Sequence, residues 1–143
     1  MKKQVLIADL IPLIKESLDK DKHVIFVPSG SSMLPTLIGG KDEVTLARPD
    51  YLKPLDIVLY EREDGIYVLH RLIGIKNGEY LMLGDNQVYV ERGIKREQII
   101  AKVIKFTHRG KKTDCSDRAY RFKSNLRVKS RLVRKIFKKI KGK

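Results

Sequence analysis

Leu72-Ile73-Gly74-Ile75-Lys76-Asn77-Gly78-Glu79-Tyr80-Leu81-Met82-Leu83 is the stretch that decides the fold. Two β-prone apolar runs flank Asn77-Gly78, a dipeptide that favours the positive φ angles of a tight primed turn, so the stretch reads as a β-hairpin. Further strand candidates lie on either side. His23 to Val27 is β-branched and apolar and stops at Pro28-Ser29-Gly30. Val44-Thr45-Leu46, Ile57 to Tyr60, and Tyr67-Val68-Leu69 running up to Ile75 follow, and Ile99 to Phe106 alternates. Short strands separated by turn signals predict a mainly β fold, a compact coiled antiparallel sheet or partial barrel.

Helical signals appear only at the two ends. Leu6, Leu10, Leu13, Ile14 and Leu18 keep near-helical spacing and predict a short N-terminal helix over residues 4–19. Asp9 is its candidate cap, and Pro12 is expected to start or kink its main turn. Leu132, Val133, Ile136, Phe137 and Ile140 form a stripe near the C-terminus, surrounded by Arg131, Arg134, Lys135, Lys138, Lys139 and Lys141. That is a basic amphipathic helix.

The charge divides the chain in the same place. Residues 118–143 hold twelve Lys/Arg and no Asp/Glu, whereas residues 1–117 hold nineteen basic and seventeen acidic residues. The expected organisation is therefore a β domain over 1–117 and a basic tail over 118–143. Polybasic segments gain about 1 kcal/mol per Lys/Arg near an anionic membrane surface, which makes that surface the favoured partner of the tail, ahead of a tail that is merely solvated or a helix whose stripe packs on the body. Nucleic acid is the less favoured partner, because few aromatics (Tyr120, Phe122, Phe137) are present to stack on bases. No apolar run reaches the roughly 18 residues of a membrane span. Val5 to Ile14 is broken by Asp9 and Pro12 and lacks a small-residue cleavage site, so it makes a poor signal peptide. The expected location is cytoplasmic, either soluble or peripheral at the inner face of the membrane. The single cysteine, Cys115, excludes an internal disulfide and a multi-Cys zinc site and reads as incidental. His23 and His108 have no suggestive neighbours. No cofactor or metal is expected.

Three segments carry the chemistry. Pro28-Ser29-Gly30-Ser31-Ser32-Met33-Leu34-Pro35-Thr36-Leu37 sets small residues before a serine, and a tight Gly-Ser turn can aim amides at a developing oxyanion. Val68-Leu69-His70-Arg71-Leu72 places one histidine in an apolar strand, and a serine hydroxyl needs such a base to take its proton. Gly84-Asp85-Asn86 supplies a carboxylate that could orient an imidazole, and is also a turn former.

Taken in order, these boxes resemble the signal peptidase I superfamily, which also contains the self-cleaving repressor peptidases. Gly30-Ser31-Ser32-Met33 resembles the Gly-x-Ser-Met nucleophile box of the repressor branch. Ser32 to Leu37 resembles the Ser-Met-x-Pro-Thr-Leu box of signal peptidases. Gly40-Lys41-Asp42-Glu43-Val44 resembles Gly-Asp-x-Val with one residue inserted. Leu55-Asp56-Ile57-Val58 resembles Gly-Asp-Ile-Val with leucine in the glycine place. His70 to Ile75 resembles the His-Arg-Val-Ile-Gly box of the branch that uses histidine instead of lysine, and Gly84-Asp85-Asn86 matches the closing box. The resemblance spans about residues 24–104.

It implies a fold of the signal-peptidase and repressor-peptidase type and peptide-bond hydrolysis by a serine nucleophile. Ser32 is the implied nucleophile with Ser31 as rival, His70 the general base and Asp85 the orienting acid. The amides of Ser31 and Ser32, with the Ser29 hydroxyl, are the implied oxyanion donors. Met33 would wall the cleft, while Asp56 and Arg71 would hold loops in place. The expected substrate is a peptide or protein, cut in a leader or propeptide. The signal peptidases' membrane span and the repressors' DNA-binding domain and upstream scissile dipeptide find no counterpart here. The alternatives are a catalytically inactive peptide- or membrane-binding module of the same fold, and self-processing.

Overall fold

The computed structural model describes residues 7–141 of the chain, with side chains through residue 133. Helix α1 spans Ile7–Asp19. Eight strands follow: β1 (Val24–Phe26), β2 (Glu43–Ala47), β3 (Ile57–Glu61), β4 (Tyr67–Lys76), β5 (Glu79–Leu83), β6 (Glu91–Ile94), β7 (Ile99–His108) and β8 (Lys111–Asp114). Helix α2, Arg118–Lys141, closes the chain. The strands form one antiparallel sheet in the order β1-β2-β7-β3-β4-β5-β6, with β8 paired to β7. The sheet does not close on itself. The fold is mainly β, with the short N-terminal helix and the C-terminal helix read from the sequence.

The Asn77-Gly78 hairpin joins β4 to β5. Asn77 and Gly78 have φ of 53° and 75°, the two positive values a type I′ turn requires. Two strands lie outside the sequence expectations, β6 (Glu-Arg-Gly-Ile) and β8 (Lys-Lys-Thr-Asp). Neither has an apolar alternation to announce it, and β8 owes its place to the Arg109-Gly110 turn, φ 50° and 79°. At the other end α1 runs through Pro12 instead of starting there, and Asp9 lies inside its first described turn.

Alternation explains why the middle strands are apolar throughout. In β3 the side chains of Ile57 and Leu59 enter one core, with Val44, Leu46, Leu69, Val103 and Phe106 and with Ile11, Ile14 and Leu18 of α1. Val58 and Tyr60 enter a second core, with Leu72, Met82, Ile94 and Ile99. A strand buried on both faces has no polar side to show. Each of the three α1 residues gains about 1.5–3 kcal/mol by leaving water.

The basic segment after residue 117 is not a detached tail over its first half. Tyr120 packs edge-on against Phe106 with ring centroids 5.3 Å apart, and Ser124 and Val128 are buried. The step in charge at Arg118 therefore marks the start of a helix and not the rim of the folded body. Among the described residues no helix is long and apolar enough to cross a membrane.

Candidate functional site

The serine segment lies between β1 and β2 and is fixed by two close approaches that only glycine allows. A Cβ at Gly39 would land on the backbone of Gly30, which itself sits at φ 89°. A Cβ at Gly84 would come within 2.7 Å of the Ser32 carbonyl oxygen. The same carbonyl accepts a 2.9 Å hydrogen bond from the Asn86 amide, and Asn86 Nδ2 donates to the Ser31 carbonyl at 3.2 Å. Ser32 is thus pinned against Gly84-Asp85-Asn86. Arg71 pairs with Leu83 across β4 and β5, and continuing that register by one residue sets Gly84 opposite His70. Two segments far apart along the chain meet there.

A pocket of about 370 Å³ lies beside Ser32, lined by Ser29, Ser31, Ser32, Met33, Tyr67 and Leu69 among others; His70 and Gly84 are not in its lining. Met33 is buried, Ser32 is half-buried, and Ser29 and Ser31 are exposed. Among the described residues, the amides of Ser31 and Ser32 donate to no backbone carbonyl. The loop is closed from behind by Asp42, whose carboxylate accepts the Ile38 amide at 2.7 Å and pairs with His108 Nδ1 at 2.6 Å. Burial disfavours the Asp42 charge, but these bonds outweigh it and hold its pKa below the usual carboxylate range. His108, which the sequence left without a neighbour, has one across 66 positions.

Asp85 does not orient His70. Arg71 holds its carboxylate in a fork, Nε to Oδ1 and Nη2 to Oδ2, both at 2.7 Å. Thr36 Oγ1 donates to Oδ2, and the Arg127 guanidinium lies 3.8 Å away. Arg131 Nε donates to the Asp85 carbonyl at 2.7 Å. The reason is alternation: neighbouring residues of a strand face opposite ways, so the face that receives Asp85 is the face of Arg71. Arg71 is fully buried and also donates to the Leu55 carbonyl at 2.8 Å and Tyr120 Oη at 3.1 Å. Burial opposes its charge, yet the Asp85 bonds hold its pKa above the usual arginine value. Asp56 takes the Lys53 amide at 3.0 Å and Arg121 at 3.4 Å, tying the loop before β3 to α2.

His70 is buried on the second-core face of β4. The one hydrogen bond of its ring among the described residues joins Nδ1 to Tyr60 Oη at 3.0 Å and reaches neither Ser32 nor Asp85. Tyr60 Oη in turn donates to Glu91 Oε2 at 2.7 Å, and Arg62 grips Glu91 through Nε and Nη2, both at 2.9 Å. Burial pulls the pKa of His70 down to about 4, although the Glu91 and Asp85 carboxylates pull the other way. The imidazole is therefore neutral at pH 7, the form in which it can accept a proton.

Of the C-terminal basic residues, Arg131 is committed to Asp85, as above. The side chains of Arg134, Lys135, Lys138 and Lys139 lie outside the described residues. Cys115 is buried in the first core, and burial pushes its thiol up to about 12. Among the described residues no group of His, Cys, Asp and Glu is arranged to hold a metal ion. Neither a family model nor a curated protein matches the chain.

Proposed function

We propose that the chain is a serine endopeptidase of the signal peptidase type, cutting a leader or propeptide with Ser32 as nucleophile and His70 as base. The observation that carries this reading is the pinning of the Ser32 carbonyl to Gly84, which the β4–β5 register sets opposite His70, with Ser32 also lining a pocket of about 370 Å³. Ser32 Oγ would attack the scissile carbonyl carbon while its proton passes to Nε2 of His70. The tetrahedral oxyanion would be met by the amides of Ser31 and Ser32. Collapse breaks the C–N bond as the imidazolium returns the proton to the leaving amine. Water then hydrolyses the acyl-enzyme, with His70 again as base. Catalytic hydrogen bonds are commonly long without substrate and tighten once it is bound. The Ser32→Ala variant is expected to lose cleavage of a peptide pool by roughly 10⁴-fold or more with an unchanged melting temperature. Full turnover by that folded variant would remove Ser32 from its role.

A peptide-holding module without turnover is favoured by one observation, the His70 ring bonded to Tyr60 in place of Ser32. Peptide binding without any cleavage by the wild-type chain would decide for it. The proposed place of action is the cytoplasmic face of an anionic membrane, supported by the positive charge of the C-terminal segment.

A further inference from the structure

We infer that Glu91, acting through Tyr60, takes the part of the orienting acid and fixes the tautomer of His70. The direction of each hydrogen bond settles the point. Glu91 receives two hydrogen bonds from Arg62, at 2.9 Å each, and is therefore held as a carboxylate, which only accepts. The single hydroxyl hydrogen of Tyr60 is then spent on Glu91, at 2.7 Å. Tyr60 Oη has only lone pairs left for Nδ1 of His70, 3.0 Å away. Nδ1 must be the protonated nitrogen, and Nε2 the bare one.

The chain Arg62–Glu91–Tyr60–His70 thus leaves a lone pair on the nitrogen that a serine base requires. The imidazolium formed in a turnover would donate from Nδ1 to the same oxygen, with the Glu91 charge one bond further back. The carboxylate nearest Nδ1 is Glu91 Oε2, at 3.9 Å. The charged groups that act on the ring are Glu91 of β6, Arg62 beside β3 and Asp85 after β5. Tyr60 and Glu91 are positioning residues: they act through His70 and need not touch substrate. The hydrogen on Nδ1 stands on the hydrogen bonds and the bare Nε2 on the burial that keeps the ring neutral, while the catalytic use rests on the peptidase reading.

The two are tested separately in the full chain by ¹⁵N NMR of the imidazoles at neutral pH, with His70→Gln to assign the signal among three histidines. The expected wild-type spectrum shows His70 with Nε2 unprotonated and Nδ1 protonated. Tyr60→Phe should abolish the single-tautomer signature. Glu91→Gln lets Tyr60 donate to Nδ1 and should move the population toward protonated Nε2. Both variants should lower kcat at least ten-fold with KM nearly unchanged. Glu91→Gln should also shift the acidic limb of the pH–rate profile downward, because it removes a charge that favours the imidazolium. A bare Nδ1 in the wild-type chain overturns the inference. So does a Glu91→Gln variant with the wild-type tautomer. The predicted tautomers in a chain that cleaves no peptide would uphold the relay and defeat the peptidase reading instead.

Discussion

At the scale of single residues, the molecule turns on two adjacent side chains with opposite duties. His70 and Arg71 leave β4 on opposite faces, so they cannot share a carboxylate. Arg71, with five donors in a fixed fork, matches the two oxygens of Asp85 better than an imidazole can. Replacing Arg71 by Met would strip the buried Asp85 carboxylate of its fork, leaving only Thr36 and the Arg127 guanidinium 3.8 Å away, and should cost about 3–5 kcal/mol in urea unfolding. A loss below about 1 kcal/mol would show that Thr36 and Arg127 suffice to carry the charge. Leu55 shows the same tolerance of an awkward residue. It stands where the resembled motif has glycine, and its φ of 83° lies in the left-handed region. Its amide bonds the Leu72 carbonyl at 2.7 Å and its own carbonyl takes Arg71, so the surroundings hold the conformation that the side chain resists.

At the scale of elements, α2 has two halves. The first reaches into the body through Tyr120, Arg121, Arg127 and Arg131, the last two against Thr36 and Asp85 directly behind the serine segment. The remaining charges of the sequence, from Arg134 onward, are the candidates for an anionic surface. Truncation after Val133 should leave the melting temperature within a few degrees of wild type while weakening binding to vesicles containing anionic lipid. The difference should shrink at high salt, where the Debye length is short. Equal binding by the truncated chain would place lipid contact elsewhere. Truncation before Arg118 should instead uncover Phe106 and Cys115 and destabilise the whole body.

These two scales also show what was legible in the sequence. The β4–β5 hairpin could be read because Asn77-Gly78 specifies its turn locally, and the central strands because burial on both faces makes them apolar. Strands β6 and β8 were silent, since Glu-Arg-Gly-Ile and Lys-Lys-Thr-Asp take their conformation from the partner strand. The serine, histidine and glycine boxes were visible as types of residue. Their pairing was not: Tyr60, His70 and Glu91 meet over 31 positions, and nothing local tells Glu91 apart from the other surface glutamates. The resemblance of Gly84-Asp85-Asn86 to the closing box pointed to Asp85, and the alternation of β4 gave that residue to Arg71.

At the scale of the whole molecule, the buried neutral His70 ties stability to pH. Its folded pKa of about 4 lies below the ordinary 6.5, so unfolding takes up a proton between those values. The contribution is fully present above about pH 6.5 and drains as the pH falls toward about 4, at no more than about 1.4 kcal/mol per pH unit. Asp42 and Glu91, whose pKa values are lowered in the fold, add to the loss at more acidic pH. His70→Gln should flatten the upper part of that slope in denaturant titrations run from pH 7 to pH 5. An unchanged slope would mean that the ring is not held neutral by burial.

The most direct test of the central claim is a serine-directed acylating probe followed by intact-mass and peptide mapping. A base that draws the proton from Ser32 makes that hydroxyl, out of all the hydroxyls in the chain, a nucleophile. The account predicts one adduct, on Ser32, lost in Ser32→Ala and strongly slowed in His70→Gln. An unlabelled wild-type chain, an adduct on another residue, or labelling as fast without the imidazole would contradict it.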